Sequence, residues 1–250
     1  MHIPYTSHTY AACGAVTRGL GLAGVMAGAL TFAAAMAPLP LSAQSATPPP
    51  GCEAFLTIQY KGCLASIYWR CSAAPDGITW EATYGEDGPI SVSTYNDEFQ
   101  WLDTFFFFDG SRQRIADEGP KPASLSELLE TGENVYDFTT AEVGPDGMER
   151  TQYAGIDRLT GDTKTVSGEE LLITEFATVA RDPETGEIRH TTEGNQYVLA
   201  EERLFLLGTD SWSENGVTEE SDYSPVEILR PGDKTFGKTK PRYECGAVDL

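Results

Sequence analysis

Histidine is nearly missing from this chain of 250 residues: there are three, and His2 and His8 lie in an N-terminal segment expected to be removed. His190 would have to serve alone in any Ser-His-Asp or Cys-His mechanism, and multi-histidine metal centres are excluded. It stands in "GEIRHTTEG" beside threonines and reads as an ordinary strand-face histidine. No Cys-x-x-Cys occurs, so a thiol redox pair has no place. The motifs that come near a known chemistry each fail on spacing. "GTDSWSENG" (208–216) does not match Gly-x-Ser-x-Gly, and "PGDKTFGK" (231–238) lacks the phosphate-loop spacing. "DRLTGDTKTVSGEE" (157–170) puts Leu159 and Gly161 where a calcium loop needs oxygen ligands. The reading leans away from an enzyme, with no catalytic residue, metal site or cofactor expected.

Positive charge is scarce as well, with 17 Lys and Arg against 38 Asp and Glu. Arg18 is the only strong charge in the first 43 residues, and the apolar run "GLGLAGVMAGALTFAAAMA" follows it. A positive start, an apolar middle and the small-residue exit "PLPLSA" predict a secretory signal over 1–43, cleaved after Ala43. The run approaches the roughly 20 residues that span a bilayer, but its richness in Ala and Gly suits a cleaved leader better than an anchor. The mature form is therefore expected to have no stable membrane span and to be periplasmic or secreted. Removing the leader takes one Arg and no acid, leaving 38 acids against 16 Lys and Arg, a net charge of −22. Such a surface repels phosphate backbones and anionic lipid, so nucleic acid is excluded as a partner.

A Pro-rich leader over 44–51 precedes a single β-rich domain over 52–250. Segments rich in β-branched and aromatic residues alternate there with acidic, glycine-bearing turns such as "GEDGP", "GPDG", "LTGD" and "DPETGE". Strands are predicted at 53–60, 63–71, 78–84, 89–95, 98–108, 111–116, 134–141, 148–157, 163–167, 170–181, 187–199, 202–212 and 226–230. One helix is predicted in "KPASLSELLETG", with a capping box of Ser124 and Glu127 and a closing Gly132. The fold class is all-β: an antiparallel meander curling into a half-barrel or barrel-like sheet, with one or two short covering helices. The long hairpins of 148–212 make this architecture similar to lipoprotein-carrier and lipocalin-like folds, which cup a lipophilic ligand. The likeness is architectural only, since the lipocalin Gly-x-Trp signature is absent.

The stretch "CEAFLTIQYKGCLASIYWRC" (52–71) folds naturally at Lys61-Gly62. Cys52 then faces Cys71, Glu53 faces Arg70, Ala54 faces Trp69 and Phe55 faces Tyr68, all favourable cross-strand pairs. In that register Cys63 lies at the turn, roughly 26 Å from the other two at the strand rise, whereas a disulfide needs Cα atoms within about 7 Å. The pairing left for an exported domain is Cys52–Cys71 with Cys63–Cys245, and the same separation argues against a four-cysteine zinc site. The hairpin count sets Cys52 and Cys71 at a wide pair, which a bulge would correct.

The densest apolar stretch is "FQWLDTFFFFDG". As one strand it would place Phe99, Trp101, Phe105 and Phe107 on a core face, with Leu102, Phe106 and Phe108 on the other. A second apolar run, Leu204 to Gly208, also shows both faces apolar. Phe106, Phe108, Leu204 and Leu206 are the candidate ligand-binding residues, with a lipophilic small molecule or an envelope protein as the expected partner. The expected function is an exported binding or envelope-accessory protein without catalytic activity, holding an apolar molecule or lipid in a curved sheet. Two other classes fit the same composition: a secreted hydrolase using paired carboxylates, and a structural partner in an envelope assembly.

Overall fold

A computed structural model describes residues 48–246. The expected signal segment and its cleavage point lie outside the described residues. The strands are β1 (Cys52–Tyr60), β2 (Leu64–Cys71), β3 (Thr79–Gly85), β4 (Gly88–Tyr95), β5 (Trp101–Phe106) and β6 (Arg112–Lys121). After the helix α1 (Leu125–Thr131) come β7 (Glu133–Gly144), β8 (Gly147–Val166), β9 (Glu169–Arg181), β10 (Ile188–Leu199), β11 (Leu204–Glu214), β12 (Val217–Asp222) and β13 (Pro225–Leu229). They form one antiparallel sheet in which every strand from β1 to β12 lies beside its neighbour in sequence, while β13 pairs with β1. The all-β meander is therefore as expected.

The two ends of that sheet meet in the chain itself. Only Tyr223 and Ser224 separate β12 from β13. The Tyr223 N–H donates to the carbonyl of Gly208 on β11 (2.8 Å), whereas the Ser224 carbonyl accepts from the Lys61 N–H at the end of β1 (3.1 Å). One bent run thus leaves the last strand of the meander and joins the first. No ladder joins β12 to β13, so the sheet is curled but not closed by hydrogen bonds. Lys61 and Asp222 pair across this corner at 2.6 Å, and Tyr197 reaches Ser224 hydroxyl to hydroxyl at 3.5 Å. On the outer side of β13 the Ile228 N–H donates to Ser167 Oγ (3.0 Å), and Arg230 pairs with Glu169 and Glu202.

Both predicted disulfides are present, Cys52–Cys71 and Cys63–Cys245. The register of β1 and β2 is as expected at the open end, with Cys52 opposite Cys71, Glu53 opposite Arg70 and Ala54 opposite Trp69. Nearer the turn it differs by one residue, so that Ile58 faces Ser66 and Gln59 faces Ala65. The cause lies in the turn. Cys63 adopts a positive φ of 56° beside Gly62 at 62°, which makes a three-residue turn, and a bulge at Phe55 restores the register toward the cysteines. Cys63 therefore projects from the turn toward Cys245. Its N–H donates to the Tyr243 carbonyl (2.9 Å), and the chain between lies along β1, where the Gly237 N–H reaches Thr57 Oγ1 (3.0 Å).

The opposite face of β1 to β4 buries a polar chain. Tyr60 and Tyr68 touch through their hydroxyls (3.2 Å), Tyr68 donates to Glu81 Oε1 (2.7 Å) and Tyr95 donates to Oε2 of the same carboxylate (2.8 Å). Burial is the first cause holding all three phenols well above their ordinary pKa. Every member is satisfied by another, which is what lets a carboxylate sit in the core.

The helix forms where its capping residues placed it: Ser124 Oγ accepts from the Glu127 N–H, and Gly132 closes the end at φ 83°. The return arm of the box runs through Asn134, which accepts from the Ser124 N–H and donates to Glu127. Leu125 and Leu128 pack with Val198. Glu98 accepts from Ser124 Oγ and from the N–H and hydroxyl of Ser126, and pairs with Arg203 at 3.1 Å. Burial raises the Glu98 carboxyl, but the Ser126 and Ser124 bonds and Arg203 outweigh it and hold it below its usual range.

Three strand expectations need correction. The segments at 148–157 and 163–167 are one strand, β8, because "LTGD" forms a bulge opposite β9 instead of ending the ladder, with Gly161 at φ 86°. Strand β12 was not expected: "VTEESD" has no apolar alternation, as suits an acidic edge strand that discourages pairing with other chains. The long aromatic strand is shorter than expected and does not keep Phe99, Trp101, Phe105 and Phe107 on one core face. Phe99 precedes it with φ 57° and stacks on Tyr95 at 4.4 Å, and a bulge at Leu102 sends Trp101 and Phe105 to opposite faces.

Replacing Cys63 and Cys245 by Ser together should cost about 2–5 kcal/mol in denaturant unfolding and speed amide exchange along 231–243 and in β1. Tyr68→Phe, which strands Glu81 Oε1 and the Tyr60 hydroxyl, should cost about 1–3 kcal/mol. A change below about 0.3 kcal/mol would show that the polar chain contributes nothing to stability.

Candidate functional site

Two neighbouring rows of residues cross the middle of the sheet on one face. The first runs Phe138, Tyr153, Ala180, His190 through β7, β8, β9 and β10, each the direct partner of the next. The second, two residues along each strand, runs Tyr136, Gly155, Thr178, Thr192, Trp212 and ends on β11. Small residues stand among the rings in both rows, so that some rings can lie over small neighbours. Tyr136 lies over Gly155, where an added Cβ would come within 2.6 Å of its hydroxyl oxygen, and meets Thr178 Oγ1 at 2.5 Å. Ala180 lets Tyr153 and His190 approach across β9, with ring centroids 6.3 Å apart.

The result is a continuous aromatic ribbon. Phe138 and Tyr153 stack at 5.7 Å, His190 stacks on Trp212 at 3.6 Å, and Trp101 stands edge-on to Phe138 and Tyr153 at 6.4 Å from each. Such edge-on and stacked contacts are the favourable aromatic geometries. Polar groups flank the rings. Gln113 lies 3.5 Å from Glu142, and Arg189 bonds Thr151 Oγ1 at 2.7 Å, Asp182 at 3.0 Å, and Glu149. Burial, then the Glu142 charge, pushes the Tyr153 hydroxyl up to about 12, and burial raises the Glu142 carboxyl itself.

The expected ligand-binding residues fall elsewhere. In a meander every second connection lies at the same end of the sheet. Phe106 and Phe108 therefore stand at the β5–β6 tip, and Leu204 and Leu206 at the opposite end, where β11 begins. Phe106 and Phe108 pair at 5.5 Å, with Phe108 63% exposed, while Leu204 and Leu206 are each 1% exposed and belong to the core. Each pair is together, but the two pairs are not. Phe105 (39% exposed) and Phe107 (47%) share the β5–β6 end of the sheet, against the core placement expected for them. Val143, Met148, Ile188 and Val217 are also exposed, at the neighbouring tips.

Two buried carboxylates share the ribbon face one row further along, Asp157 on β8 and Asp210 on β11. Three strand spacings separate them, about 14 Å along the sheet, beyond the roughly 5–9.5 Å of a glycosidase pair. A depression at the β11 bulge, lined by Phe176, Gln196, Asp210 and Tyr223 among others, holds ≈ 200 Å³, part of it open solvent. That is below the roughly 300 Å³ at which pockets begin to enclose a drug-sized ligand. Among the described residues no group of three or more His, Cys, Asp or Glu converges as a metal site, and no helix is long and apolar enough to cross a membrane.

Sequence reasoning passed over the ribbon because its rings come from five strands. One signal was present: folding 133–158 about the "GPDG" turn sets Phe138 opposite Tyr153, by the same pairing that located the cysteines. No protein-family model matches this chain, and no curated protein or solved structure resembles it significantly.

Burial raises the Asp157 carboxyl to about 7 from its usual 3.8. The folded chain thus keeps a proton that the unfolded chain has released, and stability present below about pH 4 drains away as pH rises toward 7. Asp157→Asn should raise Tm at pH 8 and leave it nearly unchanged at pH 4. An equal shift at both pH values would show that this carboxyl does not titrate on unfolding.

Proposed function

We propose that this chain is an exported, non-catalytic binding protein that holds a small molecule with apolar faces against the aromatic ribbon. The observation that carries the reading is the convergence of Trp101, Phe138, Tyr153, His190 and Trp212 from five strands onto one face. Rings are the largest source of contact area per side chain, and their faces suit a flat ligand surface. The two disulfides fit an oxidising compartment outside the cytoplasm, consistent with the leader read in the sequence. The hydrolase alternative draws no support from Asp157 and Asp210, which stand too far apart for a glycosidase pair. The expected residues Phe106 and Phe108 remain a place where a ligand's end could rest, whereas Leu204 and Leu206 support the sheet from within.

The neutral ring probe N-phenyl-1-naphthylamine tests this directly. It should bind the protein saturably, and Tyr153→Ala should weaken binding about tenfold, the loss of about 1.4 kcal/mol. Phe107→Ala, at the tip, should leave binding unchanged. Saturable binding indifferent to Tyr153 refutes the ribbon as the site, and so does the absence of saturable binding by this probe and by the two oligosaccharides titrated below.

A further inference from the structure

Resting on that reading, we infer that the ribbon's ligand is a neutral oligosaccharide and not a lipid chain. The composition of the two rows decides between them. Apart from the rings they contain Ala180, Gly155, Thr178 and Thr192, with no Leu, Ile, Val or Met. The next pairs outward on β7 and β8 are Thr140 with Thr151 and Glu142 with Glu149, beside which Ile115 on β6, opposite Thr140, is the aliphatic neighbour.

An acyl chain laid there would desolvate hydroxyls, an amide and carboxylates and return no hydrogen bond to any of them, at a cost of about 1–3 kcal/mol for each group left unpaired. A sugar has the opposite character. Its C–H faces lie on aromatic rings, while its hydroxyl edges point outward, where the half-buried Gln113 and Thr151 offer donors and acceptors. The ring centres follow one another at 5.7 Å from Phe138 to Tyr153 and 6.3 Å from Tyr153 to His190, a ladder suited to successive sugar rings.

Charge narrows the class. Glu142 and Glu149 flank the rings, and Arg189 beside them is engaged by Glu149 and Asp182. The chain carries a net charge of −21, so uronic acids and sulfated or phosphorylated sugars are repelled. The glycan is therefore uncharged.

Calorimetric titration of the folded protein with maltohexaose and with cellohexaose tests the inference. At least one should bind saturably, and Tyr153→Ala should raise its Kd at least tenfold while the far-ultraviolet spectrum stays that of a folded sheet. If Tyr153→Ala does not fold, Gln113→Ala, which removes an edge hydrogen-bonding group, should raise Kd at least threefold. Saturable N-phenyl-1-naphthylamine binding that depends on the ribbon, with neither sugar bound, overturns the sugar class and leaves the ribbon as a binding site. Failure of all three probes overturns both readings. Sugar binding unchanged by the folded ribbon variant places the sugar elsewhere and also overturns the inference.

Discussion

The turn from Tyr223 to Ser224 carries the architecture. A meander on its own is a ribbon of strands with two bare edges, free to lie flat. Here the chain ends one ladder on Gly208 and begins another on Lys61 within two residues, so the strands between must curve until β11 and β1 are within reach of a single bend. Local chemistry fits that demand. Gly62, at φ 62°, lies so close to the Tyr223 ring that an added Cβ would sit 2.6 Å from it. On β10 and β11, Gly194 and Gly208 let backbones approach to a distance no Cβ could occupy. The corner, the Lys61–Asp222 pair and the Cys63–Cys245 bridge all fall on the same short stretch of β1 and its turn.

One face of the sheet does different work along its length. Around β1 to β4 the interior is filled by phenols and one carboxylate that satisfy each other, a buried polar core. Across β7 to β11 the same sheet carries aromatic rings over glycine, alanine and threonine, with polar groups at the margin. Between these regions α1 fills one end with leucines and is held there by Glu98, Asn134 and Arg203, side chains drawn from three separate connections and strands. Core, plug and platform therefore share one sheet without a domain boundary.

Much of this was legible in residue order, and the limits have physical causes. Cross-strand pairing located the cysteines because Glu53–Arg70 and Ala54–Trp69 constrain the open end of the hairpin. It failed by one residue near the turn, since nothing in an alternating pattern announces that Cys63 takes a left-handed backbone. Helix α1 was readable from its caps, which are local. Strand β12 was not, because an edge protected by charge lacks the apolar rhythm that marks a strand. The ribbon lay beyond a linear reading for another reason: Trp101 and Trp212 stand at the two ends of one chain of rings only after seven strands have been laid side by side.

The corner also has a consequence for how the molecule comes together. Every ladder from β1 to β12 joins consecutive segments and can form locally and early, while β1 with β13 joins Thr57 to Leu229 and must wait. During that interval Cys52 and Cys71 can oxidise at once, because the first hairpin already holds them together. Cys63 has no such neighbour: the same hairpin keeps it at the far end of both strands, out of reach of either sulfur. The geometry that curls the finished sheet therefore also protects an unpaired thiol from the wrong partner until the last strand arrives with Cys245.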